Sequence, residues 1–391
     1  MKNEIEALMV LNAISGLGSA KIQKILDHYG SAAEFFRLWN EQDLIQILSA
    51  QVIENIRTFS VEQFLDQELK LIEQKQVKVI TRNDAAYPTN LKRIVGAPIV
   101  LYVCGEIPAE NEVAIGVVGS RHASIYGRNI ADRFSAELAA LGLPIVSGMA
   151  RGIDTAAHLG ALKVKGKTIA VLGCGLTHIY PPENAKLFES IANSGAIVSE
   201  FPMATPPVPF NFPRRNRVIS GISLGIIVVE AALKSGALIT ANFALEQNKE
   251  VYAIPGQLDN PSSEGVHHLI KQGAKLVTSI EDILEDIKPA LDRWVNRNQI
   301  DGVIASEAKQ SSGSRRLPRS ADASLAMTEV VTQELTVQET TIYDSLTRQP
   351  IHIDVLAERT NTTAAKLMAT LFQLEIKQLV KQLPGKFFVR T

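Results

Sequence analysis

Seven apolar runs recur through residues 77 to 288: Val113–Val118, Pro144–Ser147, Thr168–Leu172, Ala196–Ser199, Leu224–Val229, Glu250–Ile254 and Lys275–Thr278. Stretches with helical spacing separate them, among them Arg128–Leu141 and Ile153–Val164. A strand with one wet face alternates apolar and polar residues, whereas these runs are apolar through their middles, with polar residues such as Glu250, Lys275 and Thr278 at their ends. Such strands need cover on both faces. Helices between successive strands supply it, so the pattern predicts a parallel α/β sheet covered on both faces. Two shorter runs, Val77–Ile80 and Ile99–Val103, are expected to add strands at an edge. The hydrophobic fraction of 46% supports cores of this kind, and a length of 391 residues implies two or three domains.

The flanks read differently. Residues 1–75 are helical in pattern and poor in glycine except at Ile14–Lys21, which carries Gly16 and Gly18. Glycines spaced in this way between two amphipathic stretches resemble a helix-hairpin-helix, or SAM-like, module. They permit a tight reversal and let backbone amides approach a phosphate. A plain turn in a small helical bundle uses the same residues, so the turn is expected to be architectural before it is DNA-binding. Residues 296–338 break the pattern. Ile304–Arg316 is rich in Ser, Ala and charge, and is expected to be a linker or insertion with little fixed structure.

Order returns at residue 339. Thr341–Leu346, Ile353–Arg359 and Thr363–Leu374 read as helices, and residues 379–389 as a hairpin turning at Pro384-Gly385, together a winged helix. Its third helix carries Lys366 as its one charge, too sparse for reading a major groove, so a protein-contact or autoregulatory role is expected. The expected division is 1–75 helical module, 76–290 Rossmann-like domain, 291–338 linker and 339–391 winged helix.

A net charge of −1 gives no global attraction to nucleic acid, so any such binding must come from local patches. Cys104 and Cys174 stand far apart, which argues against a disulfide framework or a zinc site and fits a reducing compartment. No metal and no cofactor are expected. Met1–Val10 lacks an apolar stretch behind a basic start, and no run reaches the length of a membrane span. The expectation is a cytoplasmic protein without membrane contact.

Four glycine turns follow predicted strands: Gly119-Ser120-Arg121, Ser147-Gly148 with Arg151-Gly152, Gly173 with Gly175, and Ser235-Gly236. Turns at the carboxyl edge of a parallel sheet are where such domains bind ligands, and backbone amides there can face an anion. Behind a proline-rich loop, Phe201–Pro213, come Arg214, Arg215 and Arg217. Guanidinium forks grip phosphates and aromatic faces stack on bases; the same arginines could equally make internal ion pairs. A dinucleotide fingerprint fails, because Gly173 and Gly175 lack the third glycine and the second strand ends without a carboxylate. A P-loop is absent. Asp154, His158, His178, Glu200 and Glu230 form no nucleophile–base–orienter set, so structural roles are expected of them and the protein is read as not an enzyme. Asp154 is expected to cap the helix after it, and Glu230 to accept from amides at Ser235-Gly236.

Several ordered motifs then resemble one family. They are Ser147-Gly148-x-Ala150-x-Gly152-Ile153-Asp154, Tyr180-Pro181-x-x-Asn184, Glu200-Phe201-Pro202, Asn211-Phe212-Pro213-x-Arg215-Asn216-Arg217, and Glu230-Ala231 followed by Ser235-Gly236-x-Leu238-Ile239-Thr240. Over about residues 77–288 the chain resembles the DNA-processing protein A (DprA, or Smf) family. The chain departs from that pattern at Pro182, where a basic residue is usual, and at Ala204, where glycine is usual. The resemblance implies a homodimeric Rossmann-like protein that binds and protects single-stranded DNA. It also implies loading of RecA recombinase onto that strand, alongside single-strand-binding protein, in natural transformation (competence). No reaction is implied. The expected DNA-binding residues are Gly119, Ser120, Arg121, Ser147, Gly148, Arg151, Gly152, Gly173, Gly175, Asn211, Phe212, Arg214, Arg215, Asn216, Arg217, Ser235 and Gly236. The alternative is a nucleotide-processing, phosphoribohydrolase-like enzyme. That class uses a Pro-Gly-Gly-x-Gly-Thr-x-x-Glu turn, which this sequence lacks.

Overall fold

The computed structural model describes residues 3–311, 336–347, 351–360, 362–377, 379–383 and 386–390. The chain forms two compact units, Met1–Glu285 and Asp286–Thr391. The first opens with six helices: α1 (Glu4–Ala13), α2 (Ser19–Tyr29), α3 (Ala32–Leu38), α4 (Glu41–Ile45), α5 (Ala50–Thr58) and α6 (Val61–Gln74). Local capping explains where they begin. Asn3 accepts from the Glu6 amide at 2.9 Å and Ser31 from the Glu34 amide at 3.1 Å. Helix α1 buries Ala7, Leu8, Met9, Val10 and Leu11 on successive positions, so it runs through the middle of this module.

Next come β1 (Lys78–Thr81), α7 (Thr89–Lys92), β2 (Val100–Gly105), β3 (Ile115–Val118), α8 (Ile125–Ala140), β4 (Ile145–Ser147), α9 (Ile153–Lys163), β5 (Thr168–Val171) and α10 (Ala185–Ser194). They are followed by β6 (Ala196–Ser199), α11 (Asn211–Ile222), β7 (Gly225–Val228), α12 (Gly236–Glu246), β8 (Glu250–Ala253), α13 (Glu264–Lys271) and β9 (Lys275–Leu276). The nine strands form one sheet in the order β1-β2-β6-β5-β4-β3-β7-β8-β9. From β6 to β9 all neighbours are parallel, and β2 and β1 add antiparallel at one edge, as the sequence pattern predicts. The sheet winds outward from β3 in both directions, so the chain reverses between β3 and β7.

Successive residues of each strand feed opposite faces. Val100 and Tyr102 join one core while Leu101 and Val103 join the other. The first core also takes Leu8, Val10, Ile14, Ile53 and Leu65 from the N-terminal helices, together with Met203. The helical module expected as a separate domain therefore shares its core with the sheet. Polar contacts cross the same seam: Asn12 Nδ2 donates to the Glu200 carbonyl at 2.8 Å, and the buried Glu68 carboxylate accepts from the Met203 amide at 2.9 Å. The second core packs Val218, Ile219 and Ile222 of α11 and Ala237, Ala241 and Ala244 of α12 on the opposite face. Helix α11 is fixed at its end by Lys249, whose ammonium donates to the carbonyls of Ser220, Gly221 and Ser223 at 2.8, 2.7 and 2.6 Å.

Helix α14 (Glu281–Ser311) spans the boundary between the units. Residues 296–311, expected to be irregular, are helical; 312–335 lie outside the described residues. The second unit contains α15 (Val337–Asp344), β10 (Ile351–His352), α16 (Ile353–Thr360), α17 (Ala364–Ile376), β11 (Val380–Leu383) and β12 (Phe387–Arg390). Three helices and a three-stranded sheet ordered β10-β12-β11 make a winged helix around Ile342, Leu356, Leu367, Leu371 and Phe388. The two-residue β10 was not anticipated, and Pro384-Gly385 lie outside the described residues. Among the described residues no helix is long and apolar enough to cross a membrane.

His158 on α9 is wholly buried, with Nδ1 2.7 Å from Thr168 Oγ1. That hydroxyl donates to the Ile145 carbonyl, so the ring donates from Nδ1 and Nε2 keeps a buried, unpartnered lone pair. Burial, and secondarily the charge of Arg215, lowers its pKa to about 3. The unfolded chain then binds a proton that the native one refuses, so stability is complete above about pH 6.5 and falls as the pH drops toward 3. His158→Gln is expected to abolish a slope of about 1.4 kcal/mol per pH unit below pH 6.5. Urea unfolding of wild type and variant at several pH values checks this, and parallel curves would contradict it.

Candidate nucleic-acid interface

The reversal between β3 and β7 opens a crevice at the carboxyl ends of the strands. A cavity of about 550 Å³ lies there. One wall is the turn after β3, Gly119-Ser120-Arg121, and the other is Lys234-Ser235-Gly236 at the start of α12. Phe212, Arg215 and Asn216 of α11 form the third side.

Each wall has a local cause. Gly152, at φ +76°, sits where a Cβ would strike the backbone carbonyls of Ser120 and Arg121, so the second turn packs directly against the first. Ile153 N–H donates to the Ser120 carbonyl at 3.2 Å and locks that contact. Ser235 caps α12, its hydroxyl accepting from the Ala237 amide at 3.2 Å. Asn216 Nδ2 donates to the Gly236 carbonyl at 3.1 Å and joins α11 to that cap.

The arginine cluster divides. On a helix, positions 214 and 217 share a side and 215 points away from them. Helix α11 begins at Asn211, so Phe212-Pro213, expected in a loop, fall in its first turn, where proline costs no hydrogen bond. Arg215 is 4% exposed. Its Nη1 donates to the Gly148 carbonyl at 2.8 Å and to the Val171 carbonyl, and its Nε to Asn216 Oδ1 at 3.2 Å. It thus ties together the ends of β4 and β5. Gly148 leaves it room: a Cβ there would lie 2.6 Å from the guanidinium. Burial lowers the Arg215 pKa to about 10, with Asp154 acting in the opposite direction, and the group stays charged at neutral pH. Arg217 is ion-paired to the buried Glu200 and donates to the Gly96 carbonyl at 2.6 Å. Arg214 is exposed and lies over the rings of Phe201 and Phe210.

The cavity surface therefore takes its accessible charge from Arg121 and Lys234, both exposed. The Arg121 guanidinium lies 5.1 Å from the centre of the Phe212 ring, and Tyr180 stands at 5.4 Å on that same ring. Lys234 and Tyr180 were not among the expected DNA-binding residues, although Tyr180 stands in one of the motifs. Lys234 is a single lysine ahead of a helix cap, and the signal was its place directly before Ser235-Gly236.

Other predicted residues have structural partners. Ser147 is buried and donates to the Val117 carbonyl at 2.6 Å. Arg151 is exposed and ion-paired to Glu183. Gly173 packs under Phe212, Gly175 packs against the carbonyls of Pro202 and Met203, and Asn211 faces a second cavity. Two expected hydrogen bonds are replaced. Asp154 does not cap α9; its carboxylate accepts from the preceding amides of Gly148 and Ala150 at 3.2 and 3.4 Å, and burial raises its pKa. Glu230 turns to α8, accepting from Ser124 N at 2.9 Å and Ser124 Oγ at 2.5 Å.

A doubly wound sheet with a cationic, aromatic cavity at its switch point defines a Rossmann-like ligand-binding protein with an appended winged helix. Comparison with known proteins places it further. Residues 78–288 match the family model for DNA recombination-mediator protein A, and residues 328–386 match the DprA winged helix domain. The chain is similar to Protein Smf of Escherichia coli, at 40% identity over 324 residues, 83% of this chain and 80% of that one. It is 44% identical over 205 residues to DNA processing protein DprA of Streptococcus pneumoniae, 52% of this chain and 72% of the relative. The X-ray structure of DprA from Streptococcus pneumoniae superimposes with a TM-score of 0.62 at 36% identity, covering 73% of this chain and 98% of that one. The chain belongs to the DNA recombination-mediator protein A family.

Replacing Arg215 by Met leaves two buried carbonyls without their donor and Asp154 without its countercharge. We expect a loss of about 3 kcal/mol of stability. Thermal unfolding checks this, with the exposed Arg121→Ala, expected within about 0.5 kcal/mol of wild type, as reference.

Proposed function

We propose that this protein grips single-stranded DNA in the cavity between the β3 and β7 turns, protects the strand, and helps load a RecA-type recombinase onto it. The observation that carries this reading is the pairing of accessible cations with two half-buried aromatic rings, Phe212 and Tyr180, at the switch point. Arg121 and Lys234 suit phosphates, and the α12 N-terminus adds amide donors. Phe212 and Tyr180 suit unstacked bases, which a duplex does not offer. Membership of a recombination-mediator family supports the same reading.

In this scheme the protein holds its ligand and does not transform it. His158 is wholly buried and hydrogen-bonded to Thr168, and Asp154 is engaged by two amides and lies beside Arg215. The protein works in the cytoplasm, as a homodimer whose two cavities hold two segments of one strand, and meets single-strand-binding protein on the DNA it receives. The winged helix serves protein contact.

Fluorescence anisotropy with a labelled oligonucleotide and its duplex, across a salt series, tests the core of this proposal. Wild type is expected to prefer the single strand. Arg121→Ala is expected to weaken it about tenfold and to reduce the salt slope by about 0.7, one phosphate's worth. Equal binding of duplex, or unchanged affinity in the variant, would remove the assignment.

A further inference from the structure

A second cavity of about 560 Å³ lies in the same compact unit, between the α1–α2 turn and the segment leading into α11. Gly16 and Gly18 form one wall; Phe201, Phe210, Asn211 and Arg214 form the other. The first turn of α11 and the residues before it contribute to the lining of both cavities. Pro209 and Phe212 face the first cavity, and Phe210 and Arg214 face the second.

Three independent features of this cavity match a nucleotide. The Arg214 guanidinium lies 5.4 Å from the Phe201 ring centre and 5.7 Å from that of Phe210, so an exposed fork is held in place before any ligand arrives. Phe210 is 72% exposed even with Arg214 over its ring, which leaves aromatic surface accessible to a base. Across the gap, α2 has Gly18 as its N-cap with no side-chain cap; the Lys21 amide donates to the Gly18 carbonyl at 2.9 Å, which leaves the Ser19 and Ala20 amides as the ones a side-chain cap does not serve. Glu200, the carboxylate in the wall, is already ion-paired to Arg217.

We propose that this second cavity is a subsite for the same single strand. A phosphodiester sits between Arg214 and the α2 N-terminus, and its base lies on Phe210. The strand leaves the first cavity over Phe210, so the N-terminal turn becomes part of the DNA path. This rests on the single-strand reading above.

Gly18 provides the test. Its φ of −92° suits any residue and a Cβ there meets nothing within 4 Å. Gly18→Asp therefore caps α2 and places a negative charge where the phosphate would lie, with an unchanged or raised melting temperature confirming the fold. Anisotropy is measured with oligothymidylates of about 4 and about 16 nucleotides, the ends of the usual range for single-strand sites. Gly18→Asp and Arg214→Ala are each expected to weaken the longer oligomer about tenfold, to lower its salt slope, and to leave the shorter within about twofold. Wild-type binding of both lengths with neither variant altering the longer would overturn the subsite and leave the first cavity standing. Equal losses at both lengths would also overturn it, and absence of wild-type binding would remove both readings together.

Discussion

The architecture of the site depends on one buried cation. Arg215 reaches from α11 across the carboxyl edge of the sheet and satisfies carbonyls at the ends of β4 and β5. Parallel strands stop there with acceptors that no neighbouring strand serves, and the glycine turns above them are too short to supply donors. A guanidinium, with five donors in a flat fork, fits the space that Gly148 leaves. Asp154 lies close enough for its charge to matter, and it also orders the turn after β4 by accepting from Gly148 and Ala150. Because that turn packs on the turn after β3, the position of Arg121 is set indirectly by a residue of another helix.

Burying one cation and exposing another on a single short helix separates two tasks. Arg215 is held too deeply to follow a mobile ligand, while Arg214 has water on one side and aromatic rings on the other. Arg217 is taken up by Glu200, which would otherwise be an uncompensated buried charge. Charge count along the chain is therefore a poor guide to charge at the surface.

The fold was legible because its signal is collective. Seven apolar runs with helices between them leave few arrangements besides a parallel sheet, and each run became a strand within a residue or two. The edge pair Lys78–Thr81 and Val100–Gly105 followed from the same pattern. Of the candidate site, what was legible was the convergence of turns: Gly119, Ser120, Arg121, Ser235 and Gly236 line one cavity. Individual polar partners were not. Glu230 chose Ser124, which is 106 positions away, over the nearby Ser235 turn, and nothing local in sequence reports such a contact. The direction of Arg215 against Arg214 was hidden for a related reason. It follows from where α11 begins, and the prolines before it suggested a loop through Pro213. Residues 296–311 misled by composition, since serine, alanine and charge also suit an exposed helix.

The seam between the N-terminal helices and the sheet has a consequence for dissecting this chain. A fragment starting at β1 would keep every strand and every turn of the first cavity, and by sequence alone it is the natural cut. It would also bare Tyr102 and Met203 on one face, and release the Glu200 carbonyl from Asn12 and the Met203 amide from Glu68. The compact unit is therefore drawn by shared burial, and it takes in the N-terminal helices together with the sheet, to Glu285.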